Sequence, residues 1–365
     1  MSPARHRFTR FTRVTDRRGL RQFLAFGDRL YAGEPRHVPT PRQQIRRWWR
    51  DGVPLYLLRD AAGTVVGRTT LHTDADFDAK LGRRCQLFGL TEFTEPAAQP
   101  LFDAITAHAG TDRDLLFGPV ALLPNQAGGV ITSGHAERGF VDSAWNPPWY
   151  PTAYEAYGFV RRFEADTWIC PVPAPPEPLP PVHVDPDGAR IALHRGDVRH
   201  LDDQLDLLRG MLNASFAQLG YYTPISAAQL RRQTDGLAYL LDESLLLYLT
   251  RDGEPVAFVL CVPDISEFLI AVRGDLHLLN QARLLAARRR YRREAVLIVK
   301  GVLPQHQGRG YQRLLSAHLH RNLYTGGYTT LRSTYVERDN VASAAQYRRL
   351  GGRPLHGYTF YAKER

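Results

Sequence analysis

Two glycines near residue 310 stand at a spacing that is typical of an anion-binding loop. In KGVLPQHQGRGYQRLL (residues 300–315), Gln305, Gly308 and Gly310 form the pattern Gln-x-x-Gly-x-Gly between two apolar runs. Glycine tolerates positive φ and lets a ligand approach closely, so successive backbone N–H groups can converge on an anion. A helix that begins near Tyr311 would add its unpaired N–H donors and the positive end of its dipole. The spacing therefore predicts a pyrophosphate site, and it differs from the dinucleotide-binding and P-loop motifs.

A second group of polar residues follows this loop along the chain. Asn340, Ser343 and Tyr347 form the pattern Asn-x-x-Ser-x-x-x-Tyr in DNVASAAQYRRLGG. Tyr347 closes the pattern with a phenol whose ordinary pKa is about 10. Its plain interpretation is a ring that packs between a helix and a sheet.

The segments that must position these residues alternate between strand and helix patterns. AVLIVKGV (295–302) is an apolar strand that leads into the loop, and YTTLRSTYV (328–336) is a strand that precedes the Asn-Ser-Tyr pattern. Asp252-Gly253 lies between two apolar runs and predicts a hairpin turn. A helix is expected from about Ser226 to Leu241, with Ser226 as its N-cap. The second half of the chain has the order β-α-α-β-β-α-β-α-β-α-β, which indicates the α/β class with a mixed sheet.

A proline-rich stretch predicts the division between two domains. PVPAPPEPLPPVHVDP (171–186) has eight prolines in sixteen residues and too few backbone donors for a sheet. We therefore expect domains at 1–170 and 187–365, joined by a linker at 171–186. The first half has a similar order of elements, which suggests an internal duplication of the fold.

These motifs together resemble those of the GNAT N-acetyltransferase superfamily. The resemblance implies two tandem GNAT-like acyl-CoA N-acyltransferase domains, the first degenerate, as in a subgroup of bacterial proteins. It implies acyl-coenzyme A as cosubstrate, with acetyl-coenzyme A as the default, in a cleft between two splayed central strands. The residues that it assigns to coenzyme A are Val302, Leu303, Gln305, His306, Gln307, Gly308, Arg309, Gly310, Tyr311, Asn340 and Ser343. The first half has no Gln-x-x-Gly-x-Gly after GPVALLP (118–124), so we do not expect it to bind coenzyme A.

The same resemblance gives roles in acyl transfer. A main-chain N–H near Val302 to Leu303 would polarise the thioester carbonyl, and Tyr347 would be the general acid. Four side chains near predicted strand ends are candidates for the general base that deprotonates an ammonium: Asp264, Glu267, His306 and Glu337. Glu267 and Glu337 are the preferred pair, and a chain of water molecules is the alternative.

The arginine content predicts a second kind of partner. Residues 1–50 hold thirteen arginines against three acidic residues, so this segment accounts for the whole net charge of +10. Arginines interleaved with Phe and Trp can bind phosphates and stack on bases, and the alternative is a solvated strand and helix.

The leading function is N-acylation of a small-molecule amine, in bacterial metabolite biosynthesis. The alternatives are an acyltransferase that takes its donor from an aminoacyl-tRNA and a non-catalytic ligand-binding protein.

Other features predict where the protein works. No apolar run reaches the roughly 18 residues of a membrane span, and the first 25 residues do not resemble a signal peptide, so we expect a cytoplasmic protein without membrane contact. Cys85, Cys170 and Cys261 are expected to be free thiols. His318 and His320 are two apart on a helix and point in different directions, so we predict no metal. The sequence makes no prediction of oligomeric state.

Five residues of the first half are candidates for a substrate cleft or for plain aromatic packing: Asn125, Asn146, Trp149, Tyr150 and Tyr154.

Overall fold

The computed structural model describes residues 10–175, 178–181, 185, 187–234 and 240–365. The chain forms two compact units. The first unit contains the chain up to Ala165 together with Ser266–Gln281 and His356–Arg365, and the second contains Asp166–Ile265 and Ala282–Leu355. The mixed α/β class predicted from the sequence is confirmed. The predicted stretch 171–186 falls in the second unit, where several of its residues contact secondary-structure elements.

The first unit is a mixed sheet with helices packed on it. Its strands are β1 (Arg10–Arg13), β2 (Leu55–Arg59), β3 (Val65–His72), β4 (Cys85–Phe93), β5 (Leu115–Gly118), β6 (Val120–Ala121), β7 (Leu123–Gly128), β8 (Val130–Ser133) and the first part of β9 (Val160–Pro171). Its helices up to residue 165 are α1 (Arg17–Leu30), α2 (Arg42–Arg50), α3 (Ala75–Leu81), α4 (Ala98–His108) and α5 (Tyr150–Ala156). The sheet has the order β1-β2-β3-β4-β5, and the end of the chain adds a strand antiparallel to β5.

The second unit repeats this layout. Its strands are β10 (Ile191–Arg195), β11 (Leu246–Arg251), β12 (Glu254–Pro263), β13 (Glu294–Val302), β14 (Thr330–Glu337) and the first part of β15 (Arg353–Glu364). The helices after residue 200 are α6 (Leu201–Phe216), α7 (Ala227–Gln233), α8 (Ser266–Ala271), α9 (Leu278–Ala287), α10 (Tyr311–Thr325) and α11 (Val341–Arg349). The division into units assigns α8 to the first unit and passes through α9.

Local signals explain several of these elements. Ser226 caps α7 through a reciprocal capping box with Gln229, as predicted for the N-terminus of this helix. The helix ends at Gln233 rather than at the predicted Leu241, and residues 235–239 lie outside the described part of the chain. Asp252 and Gly253 both have positive φ, +50° and +93°, and they turn β11 into β12 as the hairpin signal predicted.

The strand order of the second unit matches that of the first. β10 to β13 are successively antiparallel, β13 is parallel to β14, and the last residues of β9 lie on the other side of β14. In the first unit β1 to β4 are likewise antiparallel, and β4 is parallel to β5. The duplication suggested by the sequence is therefore visible in the pairing of the strands. The core of the second unit packs α10 and α11 on one face of the sheet and α6 on the other.

Candidate active site in the second unit

The two central strands of the second unit separate halfway along their length. β13 and β14 pair in parallel only from Glu294 opposite Thr330 to Leu297 opposite Ser333, although both strands continue for several residues. At the point of separation the Thr334 hydroxyl donates to the Ile298 carbonyl at 2.9 Å. The splay expected from the resemblance is therefore present, and it leaves one edge of each strand available to a ligand.

The predicted phosphate loop lies at the carboxyl end of β13. Gly308 and Gly310 have φ values of +80° and +83°, and Gly310 is the N-cap of α10. A Cβ built at either glycine would meet no atom within 4 Å, so the glycines are required by backbone conformation and the loop faces open space. Gln305, Gln307 and Arg309 are exposed beside them. The arrangement can present backbone N–H groups and a helix N-terminus to an anion.

A carboxylate from the predicted linker anchors this loop. The Asp185 side chain is fully buried and accepts from the Tyr311 hydroxyl at 2.5 Å, from Arg251 Nε at 3.1 Å and from Arg309 at 3.4 Å. The N–H of Asp187, then the Tyr311 hydroxyl, hold the pKa of the Asp185 carboxyl well below its usual range. Arg309 also pairs with the Asp187 carboxylate. The sequence analysis missed Asp185, whose only signal is an acidic residue in a proline-rich stretch.

Tyr347 lies at the start of the separation between β13 and β14. Its side chain is only 2% exposed, its ring stacks on Trp168 with centroids 5.7 Å apart, and its hydroxyl bonds with Ser333, the last paired residue of β14. Burial raises the pKa of Tyr347, and the hydrogen bond with Ser333 opposes that rise. The ring packs in the core, as the alternative interpretation expected, while the hydroxyl is placed where the cleft begins.

An amine that the sequence analysis missed lies against the same ring. Lys300 Nζ is 4.3 Å from the centroid of the Tyr347 ring and donates to Gln346 Oε1 at 2.8 Å. Burial lowers the pKa of Lys300 to about 8. A signal was present in the sequence, because Lys300 is one of only three lysines in a chain with 44 arginines and it interrupts an apolar strand.

The main chain of β13 divides its hydrogen bonds between two sides. The Leu303 N–H donates to the Val256 carbonyl at 2.9 Å, so it is used within the sheet. Because N–H groups alternate along a strand, those of Lys300 and Val302 point to the opposite edge, which faces the separation. Of the predicted pair Val302 and Leu303, only Val302 is therefore placed to donate to a thioester carbonyl. Gln307 Nε2 reaches the Val302 carbonyl at 3.5 Å.

Asn340 and Ser343 form the N-terminus of α11. The Asn340 side-chain oxygen accepts from the Ser343 N–H at 3.0 Å, so this pair caps the helix that carries Tyr347. Asn340 is exposed and its amide N–H₂ group keeps donor capacity for a ligand. The predicted contact of these residues with coenzyme A stays a prediction.

The candidate bases are dispersed. Glu337, at the end of β14, is partly buried, and burial, then the nearby Asp339 carboxylate, raise its pKa. Asp264 is buried and lies 3.7 Å from Arg332. Glu267 is exposed on α8, which belongs to the first unit. Burial and then the Arg251 and Arg309 charges lower the pKa of His306 in the loop. Of the preferred pair, Glu337 belongs to the second unit and Glu267 to the first, and their role as bases stays a prediction.

Gly352, the residue after Leu350-Gly351, is required by the close packing of the chain around it. A Cβ at Gly352 would lie 2.3 Å from Cys170 Sγ and 2.8 Å from the Tyr347 carbonyl. The chain passes so close to α11 and β9 that only glycine fits. Cys170 and the other two cysteines are free and buried.

The first unit lacks the loop at the corresponding position. β4 matches β13 in pairing, and it is followed by Thr94, by a 3₁₀ turn over Glu95–Ala97 and directly by α4, with no glycine. The sequence analysis had looked for this loop after GPVALLP, one strand later. A Cβ on Gly89 of β4 would lie 1.8 Å from the Val120 carbonyl oxygen, so the chain itself fills the space beside this strand.

The aromatic residues proposed for a cleft in the first half are core residues. Tyr150 and Tyr154 are 2% and 0% exposed and belong to a cluster with Phe93 and Phe102. The Tyr150 hydroxyl accepts from the Phe93 N–H at 3.0 Å. The Asn146 side chain accepts from a main-chain N–H in β8, and Trp149 packs against the same cluster. The structure therefore shows the plain alternative, aromatic packing, for these residues.

Two negative observations concern the described residues. Among them, no group of three or more His, Cys, Asp or Glu side chains is arranged to hold a metal ion. None of the helices formed by these residues combines the length and apolar character needed to cross a membrane.

Comparisons with known proteins find chains of similar sequence. No protein-family model matches the chain. It is 21% identical to Protein YghO of Escherichia coli (strain K12) over 361 residues, which cover 94% of this chain and 93% of that protein. It is 25% identical to a bacterial ceramide synthase of Caulobacter vibrioides over 95 residues, which cover 26% of this chain and 25% of that protein.

Solved structures show the same architecture. A GCN5-related glucosamine N-acetyltransferase region in a fungal multi-domain GH3 β-N-acetylglucosaminidase has a TM-score of 0.59 and 14% identity, over 98% of this chain and 38% of that chain. A tandem GNAT protein from the clavulanic acid biosynthesis pathway has a TM-score of 0.56 and 15% identity, over 97% of this chain and 98% of that chain. The resemblance is therefore confirmed at the level of the fold: the chain has the fold of the GNAT N-acetyltransferase superfamily, with two such domains in tandem.

Proposed function

We propose that the protein is an N-acyltransferase whose second unit transfers an acyl group from acyl-coenzyme A to the amine of a small molecule. One observation carries the proposal. In a single unit, a glycine loop that faces open space ends β13, and the same strand separates from β14 at the point where the Tyr347 hydroxyl lies. A pyrophosphate would bind at the loop, and the pantetheine arm would extend along the free edge of β13.

The chemistry requires direct attack of the amine on the thioester. The main-chain N–H of Val302 faces the separation and would donate to the carbonyl oxygen, where negative charge develops. Tyr347 would supply the proton for the departing thiolate. Acetyl-coenzyme A is the default donor. The features that support coenzyme A in the second unit are missing from the matching loop of the first, which we propose to be a scaffold.

Calorimetric titration with acetyl-coenzyme A tests the donor. We expect micromolar binding to the natural protein and no binding to a Gly308→Asp, Gly310→Asp double variant, because the side chains strain the loop and repel phosphate. Gly327→Asp is the matched control, since Gly327 also has positive φ, +81°, with open space around it, at the other end of α10. Equal binding by all three proteins, or none by the natural protein, would contradict the proposal.

Release of free thiol from acetyl-coenzyme A then identifies the acceptor class. The first panel consists of glucosamine, a long-chain amino alcohol and free amino acids, because the named similar proteins include a glucosamine N-acetyltransferase region and a ceramide synthase. On the best amine, Tyr347→Phe should lower kcat by about 100-fold or more if Tyr347 is the acid. An unchanged kcat would mean that another group is the acid, whereas no thiol release with any amine would favour the non-catalytic alternative.

A tRNA-borne acyl group is the second candidate donor. The arginines at positions 10, 13, 17, 18 and 21 are exposed on the first unit. Binding of bulk tRNA that weakens steeply with salt, together with no binding of acetyl-coenzyme A, would favour this donor.

A further inference from the structure

Lys300 is the chemically distinctive group of the second unit. The chain uses arginine for nearly all its positive charge, with 44 arginines and three lysines. Arginine stays protonated in proteins, whereas a lysine that is taken out of water can lose its proton near neutral pH. A lysine at this position therefore supplies a property that the other basic residues of the site, Arg251 and Arg309, do not have.

The backbone places Lys300 beside the cleft. Lys300 lies on β13 three residues beyond Leu297, the last residue of that strand that pairs with β14. Its main-chain N–H faces the separation, while its side chain lies over the ring of Tyr347 with Nζ 4.3 Å from the centroid. Gln346, the residue before Tyr347 on α11, holds the amine through a 2.8 Å hydrogen bond. The amine and the phenol thus lie together between β13 and α11, next to the point where the strands separate.

The groups around the amine favour its neutral form. The titratable groups that face it are Tyr347 on α11, Cys261 on β12 and Cys170 on β9. Burial raises the pKa of each of them, that of Cys170 to about 11, so all three are uncharged near pH 8. Burial lowers the pKa of Lys300 to about 8, and the weak interactions with the two thiols do not reverse that effect.

We propose that Lys300 is the general base of the acyl transfer and acts beside Tyr347 as the acid. This inference deepens the proposed function and depends on it. Neither Glu267 nor Glu337, the bases preferred from the sequence, has a comparable contact with Tyr347 among the described residues. The amine of Lys300 is instead in van der Waals range of the ring whose hydroxyl marks the start of the cleft.

The steps balance as follows. The acceptor ammonium gives one proton to the neutral Lys300 amine, and the resulting free amine attacks the carbonyl carbon so that a C–N bond forms. The C–S bond then breaks, and the thiolate takes the Tyr347 proton. The new amide nitrogen loses its second proton to the Tyr347 phenolate, and Lys300 releases its proton to solvent. The products are the amide, free coenzyme A and one proton.

The pair also explains how a buried tyrosine can act as an acid. Burial makes the Tyr347 phenol a weaker acid than an exposed one, which slows proton donation to a thiolate. After Lys300 has accepted a proton, its ammonium lies over the ring face. A cation at this position stabilises the ring and its developing negative charge at the moment of donation.

Substitution of Lys300 by arginine distinguishes a role as proton acceptor from a role as a fixed positive charge. Lys300→Arg keeps the cation over the ring but cannot accept a proton, and Lys300→Met removes both. On the amine that the natural enzyme acylates fastest, we expect both variants to lose at least about 100-fold in kcat and to bind acetyl-coenzyme A as before. The rise of kcat through pH 8 should be lost in both. The matched control is Lys363→Arg, since Lys363 also lies over a tyrosine ring, 5.2 Å from the Tyr157 centroid, in the first unit.

A second measurement needs no acceptor. Reductive methylation with ¹³C-formaldehyde labels the three lysines, and the Lys300 signal is the one absent from Lys300→Arg. A titration midpoint near pH 8 supports the inference, and a midpoint above pH 10 overturns it. Full kcat in Lys300→Arg also overturns it and leaves the proposed function intact. If the natural protein binds no acetyl-coenzyme A and releases no thiol, the proposed function fails, whatever the lysine titration shows.

Discussion

Lys300→Met should stabilise the second unit in a manner that depends on pH. The shift of the Lys300 pKa from 10.5 to about 8 corresponds to a cost of about 3 kcal/mol for holding the ammonium in the fold at neutral pH. Below pH 8 the folded and unfolded states both carry the proton, so the full cost is present. Between pH 8 and 10.5 the unfolded chain binds more protons, so the free energy of unfolding of the natural protein rises. Methionine has a similar length and carries no charge, so the variant lacks this term.

Comparison of the natural protein with Lys300→Met isolates the contribution of Lys300 ionisation to the free energy of unfolding. Between pH 7 and 9.5 the unfolding free energy of the natural protein should gain about 2 kcal/mol on that of Lys300→Met. The attraction between the ammonium and the Tyr347 ring acts only on the charged form of Lys300, so it is part of the net pKa of Lys300 and adds no separate contribution to this difference. Urea denaturation of both proteins, followed by circular dichroism at pH 7, 8 and 9.5, gives their free energies of unfolding. The comparison uses the unfolding transition whose midpoint changes in Lys300→Met. A difference that stays constant across these pH values would refute the reasoning.

Three further predictions concern other parts of the molecule. Asp185→Asn should weaken acetyl-coenzyme A binding about tenfold in calorimetry, because the anchor of the phosphate loop loses its charge, and unchanged affinity would mean that the loop does not need this anchor. Gly352→Ala should lower the free energy of unfolding by about 1 to 3 kcal/mol because its Cβ would collide with Cys170, whereas Gly210→Ala, in open space on α6, should raise it slightly. Equal effects of the two substitutions in thermal denaturation would contradict the packing argument. Glu92→Gln should destabilise the first unit by about 3 kcal/mol, because Arg68, which Glu92 contacts at 2.6 Å in the interior, loses its partner, while affinity for acetyl-coenzyme A stays the same.

The elements that the sequence predicted well are those set by short-range patterns. The hairpin at Asp252-Gly253, the capped helix at Ser226 and the glycine loop each depend on residues within a few positions of one another. Their backbone conformations follow from which residues tolerate positive φ or accept a capping hydrogen bond. Strand pairing confirmed the duplication, although the loop of the first half had been sought one strand too late.

Residues that meet only in the folded chain escaped prediction. Lys300 lies 46 positions from Gln346, and Asp185 lies 126 from Tyr311. Neither residue has a local pattern that names its partner, because such contacts depend on how the strands pair and where the helices cross them. Glu267 follows β12 directly, and its helix belongs to the first unit, so its role as a base stays a prediction.

The two units show how one strand order can produce either an open loop beside separated strands or a packed core. After β13 in the second unit, six residues from Gln305 to Gly310 form a largely exposed loop before α10 begins. After β4 the first unit passes through a 3₁₀ turn straight into α4 and buries Ala97 completely. The same choice recurs beside the strands, where β13 leaves its edge free beyond Leu297 but Gly89 of β4 is covered by the Val120 carbonyl. Inserting the glycine loop into the first unit would therefore not create a binding site, since the chain already fills the space that the ligand needs.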